Sequence, residues 1–336
     1  MHRIPQKLLD AHQPHITGLT RRSRKVGCAF YNRDLSNHDL IIASIPTSPC
    51  CGHKRLRSFV RKRPYNEGVT NSRMRPGAKG AAMHRIDLNC DLGESFGRYT
   101  LGLDDQVIPL VSSVNVACGM HAGDPAVMRR TVKLAAEAGV SIGAHPGYPD
   151  LQGFGRRDMA LSPDEAYAYL VYQLGALQAF CTAAGTRVAH VKPHGQLYNR
   201  AAVDAALADA LAAAVHDVDP SLVLVGLANG ELIRAGRETG LQTAQEFFTD
   251  RNYTDNGTLV PRSLPNACIA DEDFAVQRVV RVVREHTIES ESCRTIGISA
   301  DTICVHGDNT HALAFVRKIR AALEEAGIEI KPVGAE

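Results

Sequence analysis

From residue 85 onward, short apolar runs of β type alternate with longer stretches of helical period. The β-type runs are RIDLNC (85–90), SSVNVAC (112–118), GVSIGAH (139–145), TRVAHVK (186–192), LVLVGLA (222–228), LQTAQEF (241–247) and DTICVH (301–306). Helices with clear punctuation lie between them. Asp124-Pro125 opens one that Gly139 closes, and Ser162-Pro163-Asp164-Glu165 reads as a capping box with proline at the first helical position. Gly185 ends that helix, along which Tyr167, Leu170, Val171, Leu174 and Cys181 recur at packing positions. Acidic residues at 271–273 start another, and a last helix runs from about Thr310 to Ala326 before Gly327.

Seven β-α alternations predict parallel strands joined by right-handed crossovers. The length suits an α/β fold of the (β/α) barrel type with about seven parallel strands, and an open doubly wound sheet has the same period.

The strands end in polar groups. The first runs into Asp91 and Glu94, the second reaches His121 and Asp124, and the third stops at His145. In the fourth, side-chain alternation puts His190, Lys192 and His194 on one face. The fifth leads to Asn229 and Glu231, the sixth contains Glu246 and leads to Asp250 and Arg251, and the seventh ends at His306 and Asp308. Ligands of parallel α/β folds bind at the carboxyl ends of the strands, so these tips are expected to converge on one cleft.

Such a cleft has the parts for acid–base chemistry. Asp91 and Glu94 flank Gly93, and their repulsion favours one of them as a base, or either caps the following turn. Lys192 is placed to neutralise an oxyanion, a carboxylate or a phosphate. His121, His145 and His194, with Asp91, are candidate ligands for zinc or a similar ion, although no tight metal motif such as HExxH is present. In GFGRRD, Arg156 or Arg157 is a candidate anion clamp, the alternative being a surface ion pair. Neither a GxxxxGK[ST] phosphate loop nor a GxGxxG turn after a strand occurs.

Composition changes the picture mainly at the start of the chain. Apolar residues make up 44% of the whole and charged residues 22%, as in globular enzymes, and no apolar run is long enough to cross a bilayer. The net charge of +2 conceals a division: residues 1–82 hold 16 Lys and Arg against 4 Asp and Glu, whereas the remainder carries a surplus of acid. The first 82 residues have no sustained helical period, and their composition predicts disorder. They read as an extension preceding a genuine start at Met83, as a targeting segment, or as a nucleic-acid-binding arm without a folded module. The barrel is therefore expected over residues 83–336. Nine cysteines, an odd number without CxxC spacing, suit reduced thiols in a cytoplasmic setting.

The strings IDLNCDLGESFG, NVACGMHAGDP, GAHPGYPDLQGFGRR, VKPHGQLYN, EFFTDRNYTDNGTLVPR and ICVHGDN, in this order over about residues 85–330, resemble the LamB/YcsF family. The family pattern is matched at Asp91, Glu94, His121, His145, Lys192, His194, Asp250, Arg251, His306 and Asp308. It is departed from at Thr249 and Asn266, on what would be the pocket rim. The resemblance implies a barrel related to the glycoside hydrolase/deacetylase superfamily. It also implies a hydrolase role, as the A subunit of an ATP-hydrolysing 5-oxoprolinase, in opening the lactam of 5-oxoproline to L-glutamate, with ATP as co-substrate and subunits B and C as partners. Under it Asp91, Glu94, Lys192, His194 and Asp250 are the expected catalytic groups. His121, His145, Arg156, Arg157, Glu246, Arg251, His306 and Asp308 are the expected substrate contacts. A stand-alone metal-dependent deacetylase or amidohydrolase, and a substrate-binding subunit without chemistry of its own, remain the competing readings.

Overall fold

The computed structural model describes residues 84–305 and 310–335. The expected basic extension of residues 1–82, and the tips His306 and Asp308, lie outside the described residues.

Ten strands and eight α-helices are present among them. In chain order they are β1 (Arg85–Leu92), α1 (Asp104–Val107), β2 (Ser113–Ala117), α2 (Pro125–Ala138), β3 (Ser141–His145), α3 (Pro163–Ala183) and β4 (Val188–Val191). Then follow α4 (Gly195–Ala201), α5 (Ala205–Val218), β5 (Val223–Leu227), α6 (Glu231–Thr239), β6 (Gln242–Phe248) and α7 (Glu272–Glu285). The chain ends with β7 (Thr287–Glu289), β8 (Thr295–Gly297), β9 (Thr302–Val305), α8 (Thr310–Glu325) and β10 (Glu329–Ile330). Strands β1 to β6 pair in sequence order, β9 pairs with β6, and β9 pairs back onto β1, every pairing parallel. The sheet is thus a closed seven-stranded barrel, which settles the choice against an open sheet. The pair β7–β8 is a separate antiparallel hairpin, and β10 adds a short parallel pairing to the start of β1.

Local chemistry explains the helices that punctuation predicted. The Asp124 side chain accepts from the amides of Ala126 and Val127 and starts α2, which Gly139 ends in the left-handed conformation. Ser162 and Glu165 form the reciprocal capping box of α3. Helices α4, α5 and α6 were not among the predicted ones, although Asp204 caps α5 by accepting from the amide of Leu207 and Gly240 ends α6 in the left-handed conformation. The α5 sequence, AALADALAAAVHDV, offers little contrast between its faces; its small residues Ala208, Ala212 and Ala214 are buried where it packs between α3 and α6.

The barrel interior is unusual. Such interiors are normally filled by branched aliphatic side chains. Along β1 the apolar Leu88, Cys90 and Leu92 alternate with Asp87, Asn89 and Asp91, and the polar set points inward. Asp87 accepts hydrogen bonds from Ser112, Ser113 and Thr302 at the lower end of the barrel. Above it, Asn89 donates to Glu246 (3.0 Å) and to Thr302 (2.6 Å), and Asn115 donates to Asn89 (2.7 Å). Burying polar atoms is costly unless each finds a partner, and this ladder supplies the partners. The core is a polar column wrapped by an apolar shell.

Candidate active site

The column ends at the carboxyl ends of the strands in a cleft of about 690 Å³. Its floor is made by β1, β3 and β4, which contribute Asp91, His145, Lys192 and His194.

Lys192 is the centre of the floor. Only 2% exposed, its Nζ lies 2.9 Å from Asp91 Oδ1 and 2.8 Å from Glu246 Oε1, and donates to Asn89 Oδ1 at 3.1 Å. Burial works against its charge, but the neighbouring Asp91 and Glu246 outweigh burial and hold the ammonium well above the usual lysine range. The lysine is therefore a permanent cation. Asp91 Oδ1 also accepts from Asn115 (2.9 Å), so one carboxylate oxygen is pinned while Oδ2 lies 3.3 Å from His145 Nε2.

The histidines fall into two groups. His190 Nε2 meets Asn115 Oδ1 at 2.7 Å; burial first, then Lys192, pushes its pKa down to about 3, so it is a neutral part of the column. Gly143 makes this possible, because a Cβ there would lie 2.0 Å from that same Nε2. The other three, with Glu94, form a cluster whose donor atoms all lie within 4.8 Å of one another. The rings of His121 and His194 stack with centroids 3.6 Å apart. Burial, reinforced by neighbouring imidazoles, holds both well below the usual histidine range.

The tautomers in this cluster follow from main-chain partners. His145 Nδ1 lies 2.7 Å from the carbonyl oxygen of Lys192, and His194 Nε2 lies 2.8 Å from that of Phe154. A carbonyl only accepts, so those nitrogens carry the hydrogens. The remaining nitrogens, His145 Nε2 and His194 Nδ1, are lone pairs facing each other at 3.0 Å. Glu94 Oε1 sits 3.5 Å from His121 Nε2 and 3.6 Å from His194 Nδ1. Ligands about 2.1 Å from one ion in tetrahedral array stand roughly 3.4 Å apart, so the donor set fits a zinc-like ion. Phe154 adopts φ of 55°, a left-handed conformation rare outside glycine, and its carbonyl orients His194.

Several expected site residues are placed elsewhere. Glu94 joins the three histidines in one cluster, while Asp91 keeps Oδ1 on Lys192 and Asn115 and brings Oδ2 to 3.3 Å from His145 Nε2. Arg156 lines the cleft, its guanidinium 5.1 Å above the Phe154 ring, whereas Arg157 pairs with Asp150. Glu246 is wholly buried beneath Lys192 and does not line the cleft. Arg251 is a cleft wall, and Asp250 lies next to it just outside the lining. The tips of two strands do other work: Asp124 caps α2, and Glu231 pairs with Arg234 within α6. Sequence reasoning missed Asn89, Asn115, Cys304, whose sulfur lies 3.2 Å from Lys192 Nζ, and Arg262 on the cleft wall. The alternation Asp-Leu-Asn-Cys-Asp in β1 was the signal for the first.

Fold and site together define a parallel-barrel enzyme with a permanent cation and a carboxylate–imidazole cluster on the floor of its cleft. The LamB/YcsF family model matches residues 86–336, and the chain belongs to that family. It is 57% identical over 254 residues to the A subunit of 5-oxoprolinase from Bacillus subtilis (strain 168), spanning 76% of this chain and 99% of that protein. It is 59% identical over 249 residues to the corresponding 5-oxoprolinase A chain of Geobacillus kaustophilus (strain HTA426), with 74% and 97% spanned. The lactam utilization protein from Thermus thermophilus, known from a crystal structure, superposes with a TM-score of 0.70 at 46% identity, covering 74% of this chain and 99% of that one. Among the described residues no helix is long and apolar enough to cross a membrane.

Proposed function

We propose that this chain is the A subunit of an ATP-dependent 5-oxoprolinase, which opens the lactam of 5-oxoproline to L-glutamate together with subunits B and C. The observation that carries the reading is the juxtaposition of Asp91, His145 and the permanently charged Lys192 on one cleft floor. The close relatives named above support the substrate.

A lactam is a resonance-stabilised amide in a ring that recloses readily, so opening it needs coupling to an outside source of free energy. In this reading the partner subunits supply it by using ATP to activate the lactam oxygen. On this chain a water oxygen adds to the ring carbonyl carbon, and the C–N bond breaks. The nitrogen leaves as an amine after taking a proton, which gives an acyl phosphate. A second water adds to the acyl carbon, releasing inorganic phosphate and leaving the carboxylate. Asp91, anchored through Oδ1, accepts the water proton at Oδ2 with His145 beside it. Lys192 stabilises the negative charge of the phosphorylated addition intermediate. Arg156, the nearest cleft arginine to the histidine cluster, holds the substrate carboxylate.

Glu94, His121, His145 and His194 would hold a divalent ion, which when bound acts as a Lewis acid at the same floor. That cluster also favours a second reading, a metal-dependent amidohydrolase working without partners. One experiment separates the two. Glutamate release from 5-oxoproline is followed with this chain alone and with subunits B and C, each with and without ATP. Release only in the complete, ATP-containing mixture supports the first reading; release by the chain alone without ATP overturns it.

A further inference from the structure

The cleft is large for a single small lactam, and its charge is not spread evenly. Lys192 already pairs with Asp91 and Glu246, and the wall formed by the segment after β6 adds Arg251 and Arg262. Arg251 is buried at 4% exposure, and its Nε and Nη2 donate to the carbonyls of Ala267 (3.2 Å) and Val260 (2.6 Å). Carbonyls orient a guanidinium without neutralising it. The neighbouring Asp250 offsets part of this charge, and Arg262 adds to it. Arg262 Nη1 lies 3.8 Å from the sulfur of Cys268, the residue that bridges to Arg251, so the two guanidiniums share one wall.

The wall is stiff. Arg251 bridges to Cys268 and Tyr253 to Leu259, while the amides of Asn252 and Val260 donate to the carbonyls of Ala267 and Asn252. Thr258 and Ser263 add neutral hydroxyls to the same lining. Two guanidiniums on one cleft wall, Arg251 fixed by main-chain carbonyls and Arg262 exposed beside Cys268 Sγ, suit with the flanking hydroxyls a tetrahedral dianion, because arginine binds phosphate oxygens in bidentate fashion.

We propose that Arg251 and Arg262 form a second anion subsite in this cleft, which takes the phosphoryl group of an activated substrate while the lactam ring rests on the Asp91–Lys192 floor. The proposal rests on the 5-oxoprolinase reading and deepens it by giving this chain a site for a phosphorylated, rather than a free, lactam.

The test is calorimetric titration of the full chain with inorganic phosphate and, separately, with 5-oxoproline, at constant ionic strength. Arg262→Gln is the main variant because Arg262 is exposed and its loss spares the core. Arg251→Lys is the second, with thermal unfolding as the control for folding. The expected result is saturable phosphate binding that Arg262→Gln weakens at least tenfold and Arg251→Lys also weakens, while 5-oxoproline affinity changes less than twofold. No saturable phosphate binding, equal binding by the wild type and Arg262→Gln, or parallel loss of both ligands would overturn the subsite. Absence of glutamate release in the reconstituted complex would instead defeat the functional reading and leave the phosphate titration to be judged by itself.

Discussion

His145 Nε2 and His194 Nδ1 point their lone pairs at each other across 3.0 Å, because the other nitrogen of each ring donates to a main-chain carbonyl. Two acceptors in contact repel unless a proton or a metal ion lies between them. Burial and neighbouring imidazoles keep His194 from taking the proton, which leaves the ion as the better partner.

The expected outcome is one divalent ion per chain, bound by the cluster of Glu94, His121, His145 and His194. Elemental analysis of purified protein, and titration after chelation, check it. His145→Ala should weaken binding by more than the ~10–100-fold typical of losing an outer partner of a metal ligand. Undiminished metal content in that variant would rule the cluster out.

Lys192→Met should be damaging twice over. It leaves Glu246 fully buried and Asp91 half-buried without their cation, a loss of about 3–5 kcal/mol in unfolding free energy. Glutamate release in the reconstituted complex should fall by a factor on the order of 10² to 10³, as when an oxyanion-stabilising donor is removed. Denaturant unfolding measures the first effect, and turnover by the variant that remains folded measures the second.

Gly143→Ala tests the column without touching the cleft. The added methyl meets the His190 imidazole at its bonded nitrogen, so either the His190–Asn115 contact or the β3 backbone must give way. A destabilisation of ~1–3 kcal/mol is expected from overpacking of this kind. A variant as stable as the wild type in urea would mean that the interior is looser than described.

The pH dependence of stability has a definite sign at His190. Its folded pKa is about 3 and its unfolded value is near 6.5. Between those limits the unfolded chain binds a proton that the folded one refuses, so stability rises with pH across the window and is lost as pH falls below ~6.5. The slope from one such group reaches at most ~1.4 kcal/mol per pH unit. Unfolding curves from pH 4 to 7 should be flatter for His190→Gln than for the wild type by about that amount; identical slopes would refute the assignment.

Much of this molecule is legible in the chain because the relevant physics is short-ranged. The seven barrel strands announce themselves as apolar runs, and α2 and α3 by proline and side-chain caps that act within one turn. Asp91, His145 and Lys192 are recognisable as candidates because polar residues at the ends of parallel strands have few other reasons to be there. Helix α5 was harder to read, because its alanine-rich stretch offers little contrast between faces and leaves the Asp204 cap as its main local signal.

What tertiary structure alone decided is which tips meet. Glu94 and Asp91 stand three residues apart, yet Asp91, still on β1, puts Oδ1 on Lys192, whereas Glu94, beyond the strand end, joins three histidines. Glu246 and Asn89 reach Lys192 only because β9 closes the barrel between β6 and β1. Asp124 and Glu231 look equally promising in sequence but serve their own helices. Partners so distant along the chain are selected by strand order and register, which depend on the packing of the whole barrel and leave no local trace.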